Sequence, residues 1–294
     1  RLKEMLGTNS EARPQQADFS ALTSHAFLPR AQVDAPNIVL AEARTGTGKT
    51  LGYIAPASVW AEKNGATVWI STFTKNLQRQ IDDELNRLYP DPAEKAEKAV
   101  IRKGRENYLC LLNFEEALQG GVAAKQDQIV LGLVARWIEA TRDGDMVGGD
   151  FPSWLLELEG RSRITRLADR RGECIFSACP HYRKCFIEKS GRKARKADIV
   201  IANHALVMIN GATRPDDPYL PKRYVFDEGH HLFDAADSAF AAHLTGLETA
   251  ELRRWIAGSD IGRKSRMRGL ENRISDLLGD DEAGLDALQK AIRA

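Results

Sequence analysis

One hexapeptide limits what this chain can fold into. Thr45-Gly46-Thr47-Gly48-Lys49-Thr50 stands between an apolar run, Asn37-Ile38-Val39-Leu40-Ala41, and a helical pattern from Lys49 to Trp60. The run predicts a buried strand, and the glycines predict a tight turn into the helix. Such a loop brings backbone N–H groups within reach of phosphate oxygens. Side chains would block that approach, so Gly46 and Gly48 suit it. The helix that follows offers further N–H groups to an anion. Lys49 is placed to reach the outer phosphates of a nucleotide, and Thr50 to ligate Mg²⁺. Ala43 stands where the strict pattern begins with glycine. A glycine-rich turn with no ligand is the plain alternative, and the flanking strand and helix argue against it.

The same alternation continues. Thr67 to Ser71 predicts a strand and Lys75 to Leu88 a helix, and strand character returns at Ala197–Ala202 and Tyr224–Asp227. Strands separated by helices predict an α/β domain with a parallel sheet. Tyr89-Pro90-Asp91-Pro92 breaks the pattern. From about Ala93 to Lys196 strand-like runs vanish, and after about Ala235 the chain reads as helical, with a basic turn at Arg263–Arg268. Ligands of open α/β sheets bind at the carboxyl ends of the strands, where Asp227-Glu228 is expected. Phosphoryl transfer to water needs one carboxylate to hold Mg²⁺ and another to orient or deprotonate the water. Asp227 suits the first role and Glu228 the second. His230 lies just beyond, within reach of neighbouring elements; His204 and His231 read as structural or exposed.

All four cysteines lie in the strandless segment: Cys110, Cys174, Cys179 and Cys185. No apolar stretch approaches the about 20 residues of a membrane helix, so no membrane partner is expected. No secretory signal is visible. Clustered cysteines without one argue for a reducing, cytoplasmic setting and a metal, rather than for disulfides. Four thiolates can hold tetrahedral zinc or an iron–sulfur cluster. A triplet with gaps of four and five residues, plus a distant single, is less typical of zinc and leaves room for a bulkier cluster. Net charge is only +1, yet residues 161–196 carry twelve Lys or Arg against three acidic residues. That local excess fits contact with a phosphate backbone. Phe176, Tyr182 and Phe186 lie among these charges and are candidates for stacking on bases. A solvated basic face and aromatics packed about the metal are the alternative.

Together these residues resemble the DinG/XPD group of superfamily-two DNA helicases, its DinG branch most closely. The resemblance rests on Thr45–Thr50, on Asp227-Glu228-Gly229-His230 and on the cysteines between them. Arg13-Pro14-Gln15-Gln16 is similar to the upstream element in which a glutamine, here Gln16, reads adenine. Ser71 to Gln80 is similar to a motif that contacts DNA backbone, and Ala202-Asn203-His204-Ala205-Leu206 also matches. The resemblance implies a RecA-like P-loop domain over 1–92 and 197–234 and a mainly helical iron–sulfur domain inserted at 93–196. It also implies the start of a helical arch domain at 235–294. A 4Fe-4S cluster would sit on the four cysteines. ATP and Mg would sit on Arg13, Gln16, Thr45–Thr50 and Asp227, and ATP-driven movement would run 5′→3′ on single-stranded DNA. Forked or hybrid duplexes, and replication or repair proteins, are the partners implied. The family's second RecA-like domain has no counterpart here, so a fragment that binds nucleotide weakly and does not unwind DNA is expected. The competing reading is a zinc-bearing nucleic-acid module with a non-motor nucleotide site.

Overall fold

A computed structural model describes all residues except 8–12, 31, 33–34, 45, 120–124, 160–163, 165, 170–173, 214–219, 243–245, 247–248, 250–251, 254–255, 257–273, 275–277, 279–280 and 294. The described chain is α/β, with four strands in one parallel sheet: β1 (Val68–Thr72), β2 (Ala99–Ile101), β3 (Ile199–Asn203) and β4 (Arg223–Phe226), in the order β2-β3-β1-β4. Its helices are α1 (Leu2–Leu6), α2 (Pro14–Ser24), α3 (Lys49–Asn64), α4 (Lys75–Leu88), α5 (Pro92–Lys98), α6 (Leu111–Gln119), α7 (Lys125–Ala140), α8 (Ser153–Glu159), α9 (Phe186–Ala194), α10 (His204–Thr213), α11 (Leu232–Phe240) and α12 (Glu282–Arg293). Among the described residues no helix is long and apolar enough to cross a membrane.

The chain divides into two compact units. The first holds 1–110, 141–153 and 168–240, and all four strands. Its central strand is apolar on both faces, as a parallel strand covered on both sides must be. Val68 and Ile70 point into a core with Ile54, Ala57 and Ala61 of α3, Ile81 and Leu85 of α4, and Ile199 and Ile201 of β3. Trp69 points the other way, with Val100, Val200, Ala194 of α9, and Leu206 and Val207 of α10. The period of two thus sorts β1 between two helical layers. Thr74 starts α4 as its cap, its hydroxyl accepting from Leu77 N–H at 3.2 Å. Inside α3, Pro56 cannot donate to the carbonyl of Gly52; the Thr23 hydroxyl of α2 donates to that carbonyl instead, at 3.4 Å.

The second unit holds 111–140, 154–167 and 241–294 and is helical where described. Val130, Val134 and Trp137 form the buried face of α7. Most of the segment expected to start an arch domain, including the basic turn at 263–268, lies outside the described residues.

Two expectations need correction. The run Asn37–Ala41 is not a buried strand: it pairs with no described strand, and Ile38 and Leu40 are 71% and 91% exposed. Apolar composition alone does not make a strand: among the described residues β4 pairs only with β1, and the run does not add to its outer edge. The segment 93–196 is also not strandless, because Ala99-Val100-Ile101 pairs with β3 as the outermost strand. Three residues are too few for a periodic signal to register.

Candidate nucleotide site and cysteine segment

The parallel ladder gathers the nucleotide site. Pairing of Ser71 with Phe226 brings the ends of β1 and β4 together, and the Asp227 N–H extends the ladder to the Ser71 carbonyl at 2.8 Å. The Thr72 hydroxyl then reaches the Asp227 carboxylate at 3.4 Å. Glu228 follows in the left-handed region (φ 53°), rare for a side-chain-bearing residue, and turns its carboxylate toward the loop. Lys49 Nζ donates to Glu228 Oε1 at 3.2 Å, so the two motifs, 179 residues apart in sequence, meet directly.

The loop itself needs glycine twice. Gly46 and Gly48 have φ of 85° and 76°, and a Cβ on Gly48 would lie 2.2 Å from Gln16 Nε2. The Thr47 hydroxyl donates to the Arg44 carbonyl and closes the turn. Thr50 lies in the first turn of α3, half-buried; Thr45 lies outside the described residues. Gln16 is 2% exposed, and its amide N–H donates to the Gly48 carbonyl at 2.8 Å, leaving its side-chain carbonyl buried without a partner. The adenine-reading candidate therefore braces the phosphate loop from beneath α3. Arg13 is exposed at the start of α2, with its carbonyl accepting from Gln16 and Ala17.

The site's electrostatics favour a cation. Burial first, and then the neighbouring Glu228, raise the Asp227 pKa, while Lys49 and Thr72 oppose the shift. The two adjacent carboxylates and the Thr50 hydroxyl are the oxygen donors suited to Mg²⁺, while the Lys49 ammonium is suited to an anion. Tyr53, on the turn of α3 after Thr50, is buried with its hydroxyl beside the Thr50 side chain; burial and then Asp227 push its pKa well up, and Thr50 opposes the shift.

The histidines divide. His230 is exposed, with Nδ1 3.6 Å from Glu228 Oε2. His231 stacks on Phe73 at 3.9 Å and 13°, tying the acidic turn to the segment after β1. His204 is 1% exposed and bonded through Nδ1 to Ser71 Oγ at 2.7 Å. Burial lowers its pKa against the opposing pull of the Glu228 and Asp227 backbone. Sequence reading missed Tyr53 and singled out Ser71 and Thr72 only as part of the stretch similar to a DNA-backbone motif; the parallel register of β1 and β4 is the signal that places Thr72 beside Asp227.

The cysteine segment is built otherwise. Cys110 follows a short antiparallel bridge between Leu109 and Ala168. Cys174 precedes a 3₁₀ turn, Phe176–Ala178, and Cys185 starts α9. None of the four forms a disulfide, and all are half-buried. Among the described residues no three Cys, His, Asp or Glu side chains gather as a metal-ion site. The residue types fit a thiolate-held cluster: Phe176, at φ 49°, donates its N–H to Cys174 Sγ at 3.4 Å, while burial raises the Cys185 pKa and the N–H groups of Glu188 and Ile187 oppose that shift. Seven exposed basic residues flank it: Arg183, Lys184, Lys189, Arg192, Lys193, Arg195 and Lys196. Of the stacking candidates, Phe186 is corrected: it is 8% exposed and its ring presses on Gly144, so it packs rather than presents a face. Phe176 is 48% exposed with Arg105 over its ring at 5.2 Å, and Tyr182 is half-buried beside Arg192.

No family model matches the chain. It is 34% identical over 219 residues to the ATP-dependent DNA helicase YoaA of Haemophilus influenzae, covering 72% of this chain and 32% of that protein. It is 32% identical over 239 residues to the ATP-dependent DNA helicase DinG of Photobacterium profundum, covering 72% and 32%. The 3′-5′ exonuclease DinG of Bacillus subtilis is 30% identical over 241 residues, covering 80% of this chain and 25% of that one. The chain thus spans a third or less of the length of these relatives. With 30–34% identity carried across most of its own residues, the chain resembles one portion of the proteins named DinG and YoaA.

Proposed function

We propose that this chain is the nucleotide-binding part of an ATP-dependent DNA helicase that moves 5′→3′ on single-stranded DNA. The observation that carries the reading is the meeting of Lys49 with Glu228 at 3.2 Å, beside Asp227, on the carboxyl edge of a parallel sheet. In the free protein Glu228 occupies the Lys49 ammonium. A γ-phosphate takes that partner over and releases Glu228 to accept a proton from water. Lys49 and the loop N–H groups bind the phosphates, and Arg13, Gln16 and Thr45–Thr50 surround the nucleotide. Thr50 and Asp227 hold Mg²⁺, which supplies charge neutralisation at the phosphates. Single-stranded DNA lies along the segment after β1 and the basic face of α9, and forked or hybrid duplexes are the substrates of the whole protein, in repair or replication and in the cytoplasm.

Cys110, Cys174, Cys179 and Cys185 hold a 4Fe-4S cluster in this reading. Bound, it cross-links the turns that carry the basic face. The donor set supports it: four thiols, with backbone N–H groups turned toward two of them.

The nucleotide assignment is tested by MgATP titration of this chain, and the motor assignment in a protein of the relatives' full length that carries these residues. Glu228→Gln is expected to keep MgATP binding and to lose hydrolysis and strand displacement; unchanged hydrolysis would remove Glu228 from its role. For the cluster, the visible spectrum of anaerobically purified protein is expected to show a broad band with about four irons per chain. A colourless protein with one zinc and no iron would favour the zinc-bearing module instead.

A further inference from the structure

Glu228 adopts a backbone conformation that a glutamate rarely takes, with φ at 53°. Such a conformation persists only where the surrounding structure fixes it. The turn carries the carboxylate toward Lys49, at 3.2 Å. Once a γ-phosphate takes Lys49, the carboxylate loses that partner, and its aim depends on the backbone beneath it.

That backbone rests on the carboxyl ends of β1, β3 and β4. Ser71 of β1 stands opposite Ala202 of β3 on one side and Phe226 of β4 on the other. Its carbonyl accepts from the Asp227 N–H at 2.8 Å, and its hydroxyl meets His204 Nδ1 at 2.7 Å. Asn203, the last residue of β3, accepts from the Leu206 N–H at 2.9 Å through its side chain, which sets where His204 begins α10. The His204 ring lies 6.1 Å from that of Phe226, the residue before Asp227. Burial lowers the imidazole pKa, and the backbone of Glu228 and then of Asp227 opposes the shift, as acceptors facing the ring do. One imidazole thus reaches the central strand end and the acidic turn together.

Packing alone would favour an apolar side chain here. His204 and Ser71 are 1% and 0% exposed, and Ala202, Leu206, Val207 and Phe226 form the core on that side. Burying an imidazole and a hydroxyl costs free energy unless hydrogen bonds offset it. A leucine fills such a site without that cost. The histidine is therefore explained by where its nitrogens point, and not by its bulk.

We propose that His204 is a positioning residue for the hydrolytic step: through Ser71 it holds the Asp227-Glu228 turn so that Glu228 faces the attacking water. The proposal rests on the reading of Glu228 as the base.

The test is ATP hydrolysis by a protein of the relatives' full length that carries these residues, with MgATP affinity and melting temperature recorded for each variant. His204→Leu is expected to lower kcat about 10–100-fold, the scale of a misplaced catalytic group, and to leave MgATP affinity within about twofold. Ser71→Ala should give a loss of the same kind, and the double variant no more than His204→Leu alone, because the two residues act as one link. His204→Asn, whose amide can meet Ser71 from the Nδ1 position, should recover most of the lost kcat. Unchanged kcat in a folded His204→Leu protein would overturn the proposal. So would equal losses of kcat and MgATP affinity, or additive losses in the double variant, either of which makes His204 ordinary packing. If His204→Leu does not fold, unchanged kcat in Ser71→Ala overturns it instead. Glu228→Gln, run alongside, separates the two readings. If that variant keeps hydrolysis, the base assignment falls and the positioning role with it. If it loses hydrolysis while His204→Leu keeps it, the positioning role alone falls.

Discussion

The nucleotide site and the cysteine segment share one compact unit but are held by different means. Around the phosphate loop, position comes from the backbone ladder. The β1–β4 register places Asp227 beside Thr72, α3 presents Lys49, and Gln16 braces Gly48 from below. Around the cysteines, position comes from turns, a two-residue bridge and the start of α9. A ladder fixes its site before any ligand arrives. A thiol set spread over turns would take its final geometry from the proposed metal, because metal binding and folding are coupled. Nucleotide affinity should therefore answer to the loop and acidic turn, and thermal stability of the basic face to the metal.

The largest expected effect separates chemistry from binding. Glu228→Gln should lower hydrolysis by about 10²–10⁴-fold, the usual contribution of a positioned base, in a protein of the relatives' length. MgATP affinity should stay near wild type; equal loss of both would merge the two roles. Next, Lys49→Ala should weaken MgATP binding by about 100-fold, the order expected when a charged partner of an anion is removed. Gly48→Ala should lower the melting temperature by several degrees. Its left-handed φ costs an L-residue about 1–2 kcal/mol, and the added Cβ meets Gln16 at 2.2 Å. On the other side of the comparison, Cys179→Ser should abolish metal binding and broaden the melting transition while leaving MgATP affinity alone. The smallest effect has the opposite sign. The Asp227 pKa is raised in the folded chain, so its contribution to stability is full below about pH 4 and lost as pH rises through the folded value. In Mg²⁺-free buffer at neutral pH, Asp227→Asn should therefore melt slightly higher than wild type, and the gain should shrink on acidification.

Much of the first unit was legible in the sequence because its signals are local. The helix Lys75–Leu88 follows from its cap and periodicity, and β1 from a run apolar on both faces. Glycines at 46 and 48 announced a tight turn, and in the structure both have positive φ. The rest depends on what packs where. Asn37–Ala41 reads as a strand but has no ladder partner, and Ala99–Ile101 reads as nothing yet extends the sheet past β3. Gln16 was legible as a site residue. That it holds a loop carbonyl required knowing that α2 lies along α3. Phe186 carries the same composition signal as Phe176, and only packing against Gly144 tells the buried ring from the open one.

The most direct single measurement is equilibrium binding of MgATP to the wild-type chain, with Lys49→Ala and Cys179→Ser alongside. Saturable binding that Lys49→Ala removes and Cys179→Ser preserves is the expected result, since the site rests on the ladder and the loop. Binding indifferent to Lys49, or lost with Cys179, would contradict it.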